Sequence, residues 1–300
     1  MKYSHRLLIL HGLVACGAML ASCGHDAKPV ETMPEEEKTV TENSGLLKVD
    51  NKLVVIPSAI QMTNLIQKSG VAFDKANLTN TADASKYTTV FQQAINLGIY
   101  GADAGYASAF NQSQPAMEYM GAAGKLAEQL DLSAAFGSDL MSALKGGGNK
   151  EALMNLVATA YKSCDELLDK GERTDAAAMI ACGAWIESMH CALNAYQKTK
   201  DAMLLDCIAS QGATLKNLLN VAGGNFSRED QPEFANAIDT LQYVLQEFNQ
   251  AYSNYTFVES THDAGGKKSV INSTNQQGIQ QENLDRIITY LEDLRRKLIS

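Results

Sequence analysis

Apolar residues recur along this chain three and four positions apart, the period of an α-helix. Over 150–170 they are Leu153, Leu156, Val157, Ala160, Tyr161, Cys164, Leu167 and Leu168. Over 232–254 they are Phe234, Ile238, Leu241, Val244, Leu245 and Phe248. The last segment, 282–299, places Leu284, Ile287, Ile288, Leu291, Leu294 and Leu298 on one face. Weaker helical patterns cover 58–68, 87–110, 115–130, 132–144, 174–198 and 201–222. Breaks coincide with Gly70, Gly146–Gly148, Gly171 and Gly223-Gly224, and Pro57 and Pro232 suit helix starts. Strand signals are confined to Leu53–Ile56 and to the polar connection 256–280, where a small hairpin near 256–272 is expected. The pattern predicts an all-α fold, a multi-helix bundle of antiparallel helical hairpins.

One predicted helix departs from ordinary composition. The stretch 97–110 carries Gly98, Gly101 and Gly105. An interior glycine is less favourable than alanine by about 1 kcal/mol. With Ala94 and Ser108 these glycines share one helix face, so a second backbone can approach closely. Close packing is therefore expected at Gly98, Gly101 and Gly105. The expected partner is the helix around Cys182, Gly183 and Trp185. The two helices share a pattern, Gly98-Ile99-Tyr100 and Gly183-Ala184-Trp185, offset by 85 residues. That offset raises an internal duplication, against two unrelated hairpins in an Ala-rich chain.

The N-terminus reads as a targeting segment. Lys2 and Arg6 precede an apolar run from Leu7 to Leu20, too short to span a membrane. Leu20-Ala21-Ser22-Cys23 follows and resembles a bacterial lipobox, which implies cleavage after residue 22 and lipidation of Cys23. Residues 23–51 then read as a lipidated, flexible acidic tether with Pro29, Pro34 and Glu35-Glu36-Glu37. Residues 52–300 remain for a single α-helical domain. No other stretch is expected to reach the roughly 20 apolar residues of a span. The membrane contact is then the N-terminal lipid.

Charge narrows the partners. The chain has 25 Lys and Arg against 34 Asp and Glu, a formal −9. Loss of Lys2 and Arg6 leaves 23 against 34, or −11. Such a balance lacks the basic footprint of nucleic-acid binding. Of five histidines, only His190 and His262 fall in the predicted domain.

Cys164, Cys182, Cys191 and Cys207 also fall there, in a compartment that permits disulfides. Antiparallel hairpins would bring Cys164 near Cys182 and Cys191 near Cys207. The alternative is four small buried hydrophobes.

Candidate chemistry is sparse. No phosphate-binding glycine loop, nucleophile elbow or zinc-protease motif occurs, and no cofactor is implied. Glu187 and His190 have the Glu-x-x-His spacing of di-iron bundles. His262 lies in a predicted loop, without the helical context a second motif needs. No metal site is assigned on that basis. Asp103 stands among glycines and alanines, with Tyr100 and Tyr106 three residues to either side. A buried carboxylate must be paired or hydrogen-bonded. Two readings remain: a ligand pocket formed by Tyr100, Asp103, Tyr106, Trp185 and Glu187, or a purely structural bond.

The stretch 97–106, with Pro57-Ser58 upstream and Gly183-Ala184-Trp185-Ile186-Glu187 downstream, resembles a group of helical lipoproteins of Bacteroidota. The resemblance implies an exported, lipid-anchored, helical protein and assigns no activity. The layout is also similar to imelysin-like periplasmic proteins, whose Gly-x-His-x-x-Glu motif is missing. The expected function is a non-enzymatic module of the cell envelope, at the outer membrane facing the periplasm, that binds a protein partner or small ligand. The alternatives are an envelope enzyme with carboxylates Asp103 and Glu187, and a metal binder using Glu187, His190 and a cysteine.

Overall fold

A helix that is buried on every side needs apolar or small residues all round. Two segments of this chain meet that condition, and the fold is assembled about them. The computed structural model describes residues 46–49, 52–55, 59–137, 142, 150–224, 226–250, 252–256, 261–263, 268–270 and 274–300. The expected signal peptide, the expected lipidation site Cys23 and the expected tether up to residue 45 lie outside these residues.

The helices are α1 (Ala59–Lys68), α2 (Val90–Ala109), α3 (Ser113–Gln129), α4 (Lys150–Lys170), α5 (Thr174–Thr199), α6 (Ala202–Gly223), α7 (Pro232–Phe248) and α8 (Gln281–Leu298). They form the expected all-α bundle, with α2–α3, α5–α6 and α7–α8 packed as neighbours. The described residues all fall in one compact unit.

Local chemistry sets the helix starts. Thr89 accepts from the Gln92 N–H, and the Gln92 side chain accepts from the Thr89 N–H, a capping box for α2. Asp201 accepts from the Leu204 N–H at 2.8 Å and opens α6.

Helix α2 is buried without interruption from Gln93 to Ala109, and α5 is buried along most of its length. Helix α5 corrects one expectation: Thr174–Thr199 is long and apolar enough to cross a membrane by composition. It is instead a central helix of the bundle, with 94% of its apolar window buried.

The two central helices meet at glycines. A Cβ on Gly98 would lie 2.7 Å from the Ala184 nitrogen and overlap the Ile180 carbonyl. A Cβ on Gly183 would lie 2.9 Å from the Ile95 carbonyl carbon and overlap its oxygen. Each helix therefore seats a carbonyl where the other lacks a side chain. The Tyr161 ring of α4 covers Gly101, and its hydroxyl donates to the Gly98 carbonyl at 2.8 Å. Gly105 differs: among the described residues, no atom of another element lies within 4 Å of a Cβ there, so it takes no part in the close crossing. The small-residue face is longer than the contact it makes.

Four other boundaries depart from expectation. Residues 46–49, expected in the tether, form β1 (Leu46–Val49), antiparallel to β2 (Lys52–Val55). Helix α7 stops at Phe248 instead of continuing to 254. The following residues, rich in Tyr and Thr, form β3 (Tyr252–Thr256), which pairs with β6 (Thr274–Gly278). Inside that pair, β4 (Thr261–Asp263) pairs with β5 (Lys268–Val270), so the hairpin expected near 256–272 spans 252–278. Of the helix expected over 132–144, the described residues are a short 3-10 turn, Ser133–Phe136, and Ser142, which is helical.

Candidate functional site

The segment 74–80 enters the core. Two 3-10 turns shape it, capped by Asp74 and Asn80 side chains accepting from the Ala76 and Ala82 N–H groups. Leu78 and Thr79 are buried. Buried backbone must find partners, and three helices supply them. Thr79 N–H donates to Asp103 Oδ2 at 3.0 Å from α2. The Asn77 carbonyl accepts from Arg295 of α8 at 3.3 Å and faces His190 Nε2 of α5 at 2.9 Å. The Asn80 carbonyl accepts from the Tyr100 hydroxyl at 2.9 Å.

Asp103 and Glu187 are both fully buried. Glu187 forms a bidentate pair with Arg295, Nε to Oε2 at 2.6 Å and Nη2 to Oε1 at 2.8 Å. Arg295 also donates to Thr79 Oγ1 at 3.2 Å. One donor atom each of Asp103, Glu187 and Cys191 lies within 4.8 Å of the other two. Asp103 also shares a side-chain hydrogen bond with Glu187. Beside this group, His190 Nδ1 meets Glu292 Oε1 at 2.7 Å, and Asn194 lies against the same ring.

Two carboxyls and one guanidinium cannot all be charged without leaving a net buried charge. Burial, and after it the neighbouring Glu187 carboxylate, pushes Asp103 well above the usual carboxylate range. Arg295 and the Thr79 N–H pull it back only in part. Burial acts against the Arg295 charge, but Glu187 and then Asp103 hold it firmly protonated. The Cys191 thiol is pushed well above its usual value by burial, then by Glu187 and Asp103. The cluster is thus neutral as a whole: one proton on the acid pair, one ion pair, one thiol.

The expected pocket does not assemble. Asp103 and Glu187 come together, as the carboxylate reading required, but inside the core and not in a cleft. Trp185 stands two residues before Glu187, about 200° away around the helix. It packs edge-on against Phe248 at 6.5 Å. Tyr106 packs with Phe73 and Phe110, and Tyr100 with Tyr87 and Tyr119. A cavity of about 10 Å³ does exist elsewhere, between α2, α3, α4 and α5. Leu97, Met120, Val157 and Ile180 make its walls apolar, and its volume is at the lower limit for one water.

All four cysteines are free thiols, which corrects the expected pairs. The hairpin assumption sets α4 directly on α5, whereas α4 leans mainly on α2. Cys164 lines the apolar cavity. Cys191 turns toward Asp103 and Glu187, while Cys207 meets Met62 at 3.7 Å.

The sequence reading missed Arg295, Thr79, Asn77 and Glu292. Arg295 left a signal: it lies four residues after Leu291 and three before Leu298, inside the apolar stripe of α8. A cation in such a stripe calls for a buried acid. Thr79 and Asn77 act through backbone groups and leave no such signal.

Against family models, curated proteins and solved structures, the chain gives no match.

Proposed function

We propose that this is a lipid-anchored protein of the bacterial cell envelope, held at the outer membrane facing the periplasm, that binds a protein partner or small ligand and catalyses no reaction. The anchor rests on Lys2 and Arg6, the apolar run 7–20 and Leu20-Ala21-Ser22-Cys23. The resemblance to helical lipoproteins of Bacteroidota points the same way. The observation that carries the non-enzymatic part is the burial of the acid pair. Asp103 and Glu187 have no exposed surface, and Thr79 and Arg295 occupy them as structural partners. A general acid and base must touch substrate or a bound water, and a sealed pair does neither.

The test is metabolic labelling with a radioactive fatty acid, followed by membrane fractionation. The native chain should take up label and sediment with the outer membrane. Cys23→Ser should lose the label and remain unprocessed. A native chain without label, or one released into the soluble fraction, overturns the anchor.

A further inference from the structure

His190 is a buried histidine whose two ring nitrogens both face oxygen. Nδ1 meets the Glu292 carboxylate of α8 at 2.7 Å, and Nε2 meets the Asn77 carbonyl of the segment 74–80 at 2.9 Å. Burial acts against the Glu292 charge, but the hydrogen bond and charge of His190, with Arg295, keep that carboxyl ionised. Both oxygens then only accept, so the arrangement needs a hydrogen on each ring nitrogen, which is the charged imidazolium. A neutral ring has one. Its N–H stays with the carboxylate, the stronger acceptor, and the bare Nε2 faces a carbonyl oxygen, lone pair against lone pair. Asn194, one turn further along α5, lies against the ring with its amide nitrogen 3.1 Å from Nε2. Nε2 therefore has a partner for each charge state: the Asn77 carbonyl when the ring is charged, the Asn194 amide when it is neutral.

We propose that His190 is a pH-dependent latch on the segment 74–80: charged, it holds the Asn77 carbonyl against α5; neutral, it lets that carbonyl go, and the segment opens locally over the acid pair. Histidine ordinarily changes charge between about pH 5 and 8, so the latch shuts toward the acid end of that range and opens toward the alkaline end. The other charged and titratable groups around the ring are matched among themselves. Arg295 of α8 is paired with Glu187 of α5, and Asp103 of α2 shares its proton with Glu187. The Cys191 thiol of α5 is held neutral by burial. On the segment, Asp74 is paired with Lys198 and Lys75 with Glu118. Glu292 is left as the partner of the imidazolium. Release of the Asn77 carbonyl leaves it Arg295 at 3.3 Å, a long bond from a guanidinium already committed to Glu187. Two residues on, Thr79 N–H covers Asp103, so that amide reports the opening. The latch rests on the fold and not on the lipid anchor.

The experiment is amide hydrogen exchange of the full chain in detergent, read by mass spectrometry from pH 5.5 to 8.5 and expressed as protection relative to free peptide. Across that range, peptides covering 74–80 should lose protection about tenfold or more, as expected for one hydrogen bond from a charged donor. Peptides from α7 should keep theirs, which marks the opening as local. His190→Gln carries an amide donor that does not titrate, and its 74–80 peptides should be protected equally at every pH. A second variant separates the latch from the acid pair and serves where His190→Gln does not fold. Asp103→Asn removes the shared proton and keeps an acceptor for Thr79 N–H, so the loss of protection at high pH should persist in it. Native protection that is flat across the range overturns the proposal. So does a native-sized loss in His190→Gln, or the absence of the loss in Asp103→Asn, which assigns the change to the acid pair.

Discussion

Gly98→Ala and Gly105→Ala make the same chemical change on the same helix, and the structure gives them opposite signs. Both gain about 1 kcal/mol of helix propensity. At Gly105 no described neighbour opposes the gain, because outside the helix's own backbone no described heavy atom lies within 4 Å of the new methyl. At Gly98 the methyl would sit 2.7 Å from the Ala184 nitrogen and closer still to the Ile180 carbonyl. Ordinary carbon contacts lie at about 3.5–4.0 Å, so α2 and α5 must part by roughly 1 Å. Backbone cannot turn aside as a side chain can. Overpacking of this kind typically destabilises by 1–3 kcal/mol, and backbone contacts belong at the upper end. The propensity gain is common to both, so the two variants should differ by the overpacking cost, about 2–3 kcal/mol. For a domain of this size each kcal/mol moves the midpoint by about 2–4 °C. Thermal unfolding of the full chain in detergent, followed by circular dichroism, should place Gly105→Ala at or above wild type. Gly98→Ala should fall roughly 4–12 °C below Gly105→Ala. A Gly98→Ala midpoint at or above wild type refutes the close-packed crossing.

Two further outcomes follow from the cluster. Arg295→Met leaves Glu187 buried without its cation, which should destabilise by about 3–5 kcal/mol; the double variant Arg295→Met/Glu187→Leu should recover most of that loss in the same melts, and a single variant within about 2 °C of wild type counts against the buried pair. For Glu292, burial would raise the pKa, but the hydrogen bond and charge of His190, with Arg295, bring it below the usual range. Its stabilisation is therefore complete above the unfolded value of about 4.3 and is lost as pH falls through the lower folded value. The difference in midpoint between wild type and Glu292→Gln should shrink as pH drops below about 4, and a difference independent of pH removes this account.

How far the sequence could be read depended on how local the information was. Helix α8 announced itself through Leu284, Ile287, Leu291 and Leu298, since one face decides its placement. The Gly98 and Gly183 crossing was also legible, because glycine inside a helix demands a reason. Gly105 was misread: a small-residue face says where a neighbour could come, not where it stops. The Cys164–Cys182 pair failed because α4 rests on α2, whereas Cys191 and Cys207 sit on neighbouring helices but turn toward Asp103 and Glu187 and toward Met62. Asp103 was singled out as a carboxylate among small residues. Its partners were not, since Thr79 acts through its N–H and Arg295 lies 192 residues further along the chain. Such contacts are set by tertiary packing.

The glycine crossing has a symmetry of its own. Ile95 and Gly98 stand 85 residues before Ile180 and Gly183, and each isoleucine carbonyl rests on the opposite glycine. The contact is isologous, of the kind two identical subunits make across a two-fold axis. Two half-length chains carrying Ile-x-x-Gly would make the same contact as a dimer. In this protein both copies belong to one polypeptide. The association is intramolecular and does not weaken on dilution.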